Sequence, residues 1–287
     1  MKKLSEVIKT KGVTIAPGVH DALSARLVER AGFQAAYLSS YTVSATALCL
    51  PDIGTVTMSE EVNELLAIRQ RTSIPIIVDG EAGFGNAVNI KRFVGEIERI
   101  GASATDLQDQ RLPRIHYDSN RKELVPVSEH VKKIEAALEA RKSDDFMVIG
   151  RTEAADLQEA IQRLKTYAKA GADMVFPHSN FTIADLERIA DEVKTPMVVN
   201  FPLIVPNGQN KVSAKLLEKP EFRIVLFPLS VLYASIKATT GVLRQVKEQG
   251  TDVGFDMVTT QDFEQIVEMD KFARWSEKYI LPLEKDT

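Results

Sequence analysis

The sequence predicts an α/β protein, a closed (β/α)8 TIM barrel with an additional C-terminal helix. Three observations carry the prediction. Short apolar runs, many of them β-branched, alternate along the chain with segments of helical spacing. Eight such pairs can be counted, and eight units favour closure into a barrel. Several of the helical segments end on a glycine just before the next run, as at Gly32, Gly101 and Gly171, where a left-handed residue closes a helix. A doubly wound open sheet is the competing architecture; it requires a reversal of strand order.

The predicted strands are 14–19, 35–40, 74–80, 104–109, 146–151, 174–178, 197–201 and 224–227. Their near-continuous apolar character fits parallel strands buried on both faces. Between them, Ile90, Val94 and Ile97, then Val131, Ile134 and Leu138, then Leu157, Ile161, Leu164 and Ala168 recur at three or four residues. Each set lines one helix face that must be buried. The N-terminal stretch 1–12 reads as a short amphipathic helix able to plug one end of the fold. No linker interrupts the barrel, so residues 1–287 form one domain, with 259–287 as a helical extension. Phe263, Ile266, Phe272 and Trp275 make that extension too apolar for a free tail. It packs either on its own barrel or on a neighbouring subunit.

Composition narrows the function. The chain of 287 residues carries 36 basic and 40 acidic side chains, a net charge of −4, which is no electrostatic footprint for nucleic acid. The single cysteine, Cys49, excludes an intramolecular disulfide framework and a thiolate-rich metal site. No apolar run is long enough to span a membrane and none resembles a signal peptide. The expectation is a cytoplasmic protein with a small-molecule partner.

In such barrels the reacting groups gather at the C-terminal ends of the strands. Polar residues crowd those positions: Ser39 and Ser40, then Asp79-Gly80-Glu81, then Gln108-Asp109-Gln110, then Arg151-Thr152-Glu153, then His178 and Asn200. Asp79 and Glu81 share one side of an extended segment. With Asp109 ending the next strand, the oxygen donors suit Mg2+, or Mn2+. The alternative is a carboxylate cluster solvated at the rim or paired with Arg151. Arg151 could grip a carboxylate or phosphonate bidentately, or form an internal salt bridge with Glu153 or Asp79. His116 lies in a polar stretch after the fourth strand that is long enough for a lid. His20 and His130 have weaker cases, His130 reading as a helix-surface residue.

The segment Asp79-Gly80-Glu81-Ala82-Gly83-Phe84-Gly85 resembles the Asp-x-Asp-x-Gly-[Phe/Tyr]-Gly motif of the isocitrate lyase/phosphoenolpyruvate mutase superfamily. Pro17-Gly18, Asp21-Ala22, Tyr37-Leu38-Ser39, Leu50-Pro51-Asp52, Asp109-Gln110 and Arg151-Thr152-Glu153-Ala154 support it in order and spacing. The chain is similar to the smaller members, among them methylisocitrate lyase, oxaloacetate decarboxylase, phosphonopyruvate hydrolase and carboxyphosphonoenolpyruvate mutase. The resemblance implies a barrel with an exchanged C-terminal helix in a dimer of dimers, a bound Mg2+ and a small 2-oxo or 2-hydroxy carboxylate substrate. It further implies that Asp79 ligates the metal, that Glu81 acts through water, and that Gln108 belongs to the same shell. Tyr37, Ser39, Ser40, Tyr41, Arg151, His178 and Asn200 would bind substrate, and Asp52 would stand near the reacting centre.

The departures are informative. Gln108 replaces a family glutamate, so one negative charge is lost beside the metal. The lid of the lyases carries a general-acid cysteine; His116 stands at that position and can exchange a proton near neutral pH. Tyr233 stands where methylisocitrate lyase has a second carboxylate-binding arginine. A tricarboxylate substrate is therefore disfavoured. The expected activity is that of a Mg2+-dependent lyase or phosphonomutase breaking a C–C or P–C bond through a pyruvate-enolate-like intermediate. An oxaloacetate decarboxylase or other C–C lyase is the close alternative, and a barrel that only binds a small carboxylate is the alternative outside enzymes.

Overall fold

A computed structural model describes residues 3–10, 12–113, 122–201, 214, 217 and 219–280. The chain divides into two compact units, residues 1–234 and 235–287. In the first, β1 (Thr14–Val19), β2 (Ala36–Leu38), β3 (Ile76–Asp79), β4 (Ala104–Gln108), β5 (Met147–Thr152), β6 (Met174–Pro177), β7 (Met197–Asn200) and β8 (Phe222–Phe227) pair in sequence order and close β8 onto β1. Every pairing is parallel. The expected (β/α)8 barrel is thus the observed fold. The second strand is shorter than predicted because the chain turns at Ser39 into the one-turn helix α3 (Ser40–Val43).

The periodicity of two in each strand sorts the barrel into two cores. Side chains turned inward include Ala16, Tyr37, Ile77, Ala104, Ile149, Met174, Phe176, Val198, Ile224 and Leu226, and they form one cluster. Their neighbours Leu38, Val78, Leu107, Val148, Val175 and Val199 face outward and pack with the surrounding helices. Those helices are α2 (Ala22–Arg30), α4 (Met58–Arg69), α5 (Ala87–Ile100), α6 (Val127–Ala140), α7 (Leu157–Lys169) and α8 (Ile183–Val193). Of the periodic residues read from the sequence, Ile90, Val94 and Ile97 in α5, Ile134 in α6, and Ile161 and Leu164 in α7 are buried, and Val131, Leu138, Leu157 and Ala168 pack partly buried against the same core. Gly32, Gly101 and Gly171 take φ of 87°, 107° and 102°, as the helix-closing role requires. The N-terminal helix α1 (Leu4–Val7) puts the fully buried Leu4 into the inner cluster, so it plugs the barrel floor.

α9 (Ser230–Gln249) leaves the first unit and continues into the second, which also holds α10 (Thr260–Ile266) and α11 (Met269–Tyr279). Within the helical extension the described residues form two helices, because Glu268 turns left-handed at φ 60° before α11 begins. Phe272 and Trp275 stack edge-on at 5.2 Å, yet Phe263, Phe272 and Trp275 remain 46%, 40% and 48% exposed in the single chain.

Candidate active site

The rim of the barrel at the C-terminal ends of the strands holds the polar groups. The same inward parity that fills the floor with Ile77, Ala104 and Ile149 brings Asp79, Asp106 and Arg151 into the barrel two residues further on, and Gln108 two beyond Asp106. Register does the rest: Asp79 lies beside Asp106, and Gln108 beside Arg151. The turn after β3 is pinned onto β4 by Gly80 N–H donating to the Asp106 carbonyl at 2.9 Å and Gln108 N–H donating to the Glu81 carbonyl at 2.8 Å. A Cβ at Gly80 would sit 2.6 Å from that Asp106 carbonyl oxygen, so only glycine fits. Lys133, from α6, donates to the Ala82 carbonyl at 2.9 Å and holds the turn from the other side. Glu81 adopts φ 48°, a left-handed conformation costing about 1–2 kcal/mol for a side-chain-bearing residue. Strain of this kind concentrates at working sites.

Arg151 is the hub. Its Nε donates to Glu153 at 2.7 Å, and Nη2 reaches the same carboxylate at 2.6 Å. Nη1 donates to Asp106 at 3.0 Å and lies 3.6 Å from Asp79. Burial opposes its charge, but Glu153, Asp79 and Asp106 outweigh that and raise its pKa well above the ordinary value. Burial and the adjacent Asp79 push Asp106 up to about 7, against the pull of Arg151. Tyr37 donates its hydroxyl to Asp106 at 3.0 Å. Ser40 donates to Asp79 at 3.1 Å, and Asp79 also accepts the Glu81 N–H at 3.0 Å. The Gln108 amide donates to the Glu81 carboxylate.

His178 extends the network. Its Nδ1 is 2.8 Å from Glu153, and Asn200 Nδ2 lies 3.1 Å from its Nε2. Arg151 Nη2 also lies 3.1 Å from Nδ1, so that nitrogen faces a donor and a carboxylate together. Burial and Arg151 lower the histidine's pKa and favour the neutral ring. Burial alone would raise Glu153, but His178 and Arg151 hold it well below the usual carboxylate range. Lys122 also pairs with Glu153.

A cavity of about 300 Å3 opens over this network, lined by Tyr37, Ser39, Tyr41, Asp52, Arg151, His178 and Asn200. Asp79, Lys122, Leu226, Pro228 and Leu229 complete much of its wall. Tyr41, on the cavity wall, joins Tyr233 through their hydroxyls at 2.9 Å.

Most of the candidates from the sequence are therefore brought together: Tyr37, Ser39, Tyr41, Asp52, Asp79, Arg151, His178 and Asn200 line one cavity. Ser40 braces Asp79 instead of lining it. The salt bridges weighed as an alternative for Arg151 are present, alongside its place in the cavity. His116 lies outside the described residues. Asp109 needs correction as an oxygen donor of the metal corner. It has the outward parity and is sequestered, accepting from Thr152 at 2.7 Å, Glu153 N–H at 2.9 Å, Tyr167 at 2.7 Å and Arg163 at 3.2 Å. His130 is no surface residue: it is fully buried against the Tyr167 ring, 4.5 Å between centroids. Sequence reasoning missed Asp106, whose inward parity in an apolar strand was the available signal, and Lys122, which follows no periodic pattern.

Asp79, Glu81 and Gln108 offer hard oxygen donors. Among the described residues no three Asp, Glu, His or Cys side chains already converge on one point as a metal cage. Mg2+ needs none, because it keeps most of its waters and takes one or two carboxylates. Among the described residues the buried Gln108 Oε1 meets no donor, which suits a water carried by such an ion. The residues present fit a hydrated divalent cation.

Residues 4–247 match the family model described as phosphoenolpyruvate phosphomutase. The chain belongs to that family. It is 33% identical to 2,3-dimethylmalate lyase of Eubacterium barkeri, over 96% of this chain and 97% of the relative. The crystal structure of phosphoenolpyruvate phosphomutase from Streptomyces platensis subsp. rosaceus superposes with a TM-score of 0.89 at 28% identity, covering 97% of this chain and 98% of the other. Phosphonopyruvate hydrolase in complex with oxalate and Mg2+ superposes with a TM-score of 0.82 at 29% identity, covering 94% and 95%. Membership places this protein among lyases and mutases that act on C–C or P–C bonds.

Proposed function

We propose that this phosphomutase-family protein is a Mg2+-dependent lyase for a small 2-oxo or 2-hydroxy carboxylate. A 2-oxo substrate that loses its C3 substituent leaves pyruvate as its enolate. A 2-hydroxy substrate cleaved between C2 and C3 releases pyruvate and leaves the electron pair on the departing carboxylate fragment. The observation that carries the reading is the Arg151 guanidinium, locked by Glu153 and Asp106 and exposed to a cavity of about 300 Å3. A charge fixed before substrate arrives costs no reorganisation during the reaction. Asp79, with Glu81 and Gln108, would hold the cation, Mg2+ or Mn2+, which when bound supplies Lewis-acid stabilisation of the charge on the 2-oxo oxygen.

The chain's own residues do the rest. Ser39 and Tyr41 position the substrate carboxylate against the cavity wall, and Tyr37 keeps Asp106 oriented towards Arg151. His178, neutral and held by Glu153 and Asn200, is placed to hold or pass a proton at Nε2 once Asn200 yields. Asp52 lines the same cavity and would stand near the bond that breaks. Among the described lining residues, Arg151 and Lys122 are the permanent cations, and both are engaged by Glu153. Together with the neutral Tyr41–Tyr233 pair, this supports a compact substrate with few negative charges and C–C cleavage over P–C cleavage. The lone cysteine supports a cytoplasmic setting, and the apolar side chains exposed on α10 and α11 support assembly into a homo-oligomer.

The test is a panel of oxaloacetate, 2-methylmalate, 2,3-dimethylmalate and phosphonopyruvate with and without Mg2+, read as 2-oxo acid released. Mg2+-dependent cleavage of a C4–C6 dicarboxylate is the expected result. Turnover of phosphonopyruvate alone would move the protein to the P–C branch. Tight binding of a substrate analogue with no turnover of any member would make it a carboxylate-binding barrel.

A further inference from the structure

Glu61 is a buried acid that the site described above does not use. It sits in the first turn of α4 on the face continued by Leu65 and Ile68, and all three are 0% exposed. Among the described residues neither carboxyl oxygen has a hydrogen-bond partner. A buried polar group left so costs several kcal/mol, and its charged form costs more.

Its place in the fold is specific. α4 returns the chain from the rim end of β2 to the floor end of β3, so its first turn lies at the rim. The charges that bear most strongly on Glu61 are those of Asp79, then Glu81 and Asp106. At the same corner the Gln108 side-chain oxygen is also buried without a donor among the described residues, while its amide is committed to Glu81. Two separate elements, α4 and β4, thus present buried acceptors without donors beside a group of carboxylates. Water bound to a cation is the guest that answers both needs: the water donates and the cation offsets the charge.

We propose that Glu61 is a positioning residue for the divalent cation at Asp79 and Glu81, accepting a hydrogen bond from a cation-bound water and supplying the negative charge that Gln108 lacks. The inference rests on the Mg2+ reading given above. Outer partners of this kind typically change metal affinity by about 10–100-fold.

The test is Mn2+ binding to the full chain, followed by the loss of the free-ion electron paramagnetic resonance signal. Wild type, Glu61→Gln, Asp79→Asn and the double variant Glu61→Gln/Gln108→Glu are compared, each with its metal-free melting curve. Glu61→Gln is expected to weaken Mn2+ about tenfold or more without lowering the metal-free melting temperature. Gln108→Glu in that background should recover most of the loss. Glu61→Met, similar in volume and without a carboxyl, reads the same quantity should the glutamine variant not fold. Wild-type affinity in Glu61→Gln or Glu61→Met overturns the inference and leaves Glu61 a structural acid. If Asp79→Asn also binds like wild type, or wild type binds no Mn2+, the Mg2+ reading falls and takes this inference with it.

Discussion

At the floor of the barrel, Leu4, Ala16, Ile77, Ala104, Ile149, Met174 and Val198 form a dry plug. At the rim, two residues along the same strands, Asp79, Asp106 and Arg151 face the same axis. The floor is held by apolar contact and could accept any side chains of matching volume. The rim is held by charge balance, in which Arg151 faces Asp79, Asp106 and Glu153 together. The contrast shows how one strand periodicity serves two purposes: stability is stored at one end, and the other end is left electrostatically incomplete so that a cation and an anionic substrate can complete it.

Substitutions should separate the two ends. Asp79→Ala has the largest expected effect: divalent-ion binding is lost and turnover falls by about a thousandfold, the scale of losing a principal electrostatic group. The metal-free melting temperature should not fall, since one of several crowded carboxylates is gone. Retention of full Mg2+-dependent turnover would show that the rim works without this carboxylate. Leu4→Ala acts in reverse. It opens a cavity in the floor and should cost about 2–4 kcal/mol in chemical denaturation, with kcat/KM unchanged below the transition; a matching loss of kcat/KM would mean that floor and rim are mechanically coupled.

His130 sharpens the comparison, because it puts a titratable group in a setting as dry as the floor. Burial, then Lys133 and Arg163, push its pKa down to about 3. The unfolded chain therefore takes up the proton that the folded chain refuses. The contribution is intact above the unfolded value of about 6.5 and is lost as pH falls towards 3. The slope is at most about 1.4 kcal/mol per pH unit. His130→Leu should flatten the stability profile in that window; an unchanged slope would place the acid sensitivity elsewhere.

The barrel was legible because parallel strands buried on both faces must be apolar and must alternate with amphipathic helices, as at Met174–Pro177 followed by Ile183–Val193. Asp79, Arg151, His178 and Asn200 were legible because polar side chains at strand ends stand out. Asp106 was not, because attention to the last residues of each run passes over a charge inside the run. Glu61 was hidden beside Glu60, whose pairing with Thr57 caps the helix; only the spacing to Leu65 and Ile68 marks it as inward. His130 was misread for the same reason, since it shares a face with Ile134 and Ala137. A helix face identifies burial whatever the residue type, and polarity alone does not identify the surface.

Asp109 carries a last consequence. It ties Thr152 and the Glu153 backbone, which flank the guanidinium arm, to Arg163 and Tyr167 on an outer helix. The aim of Arg151 therefore depends on how firmly α7 is seated. On gradual warming, loosening of that helix would reach the arm before the sheet comes apart, so heat inactivation should precede global melting.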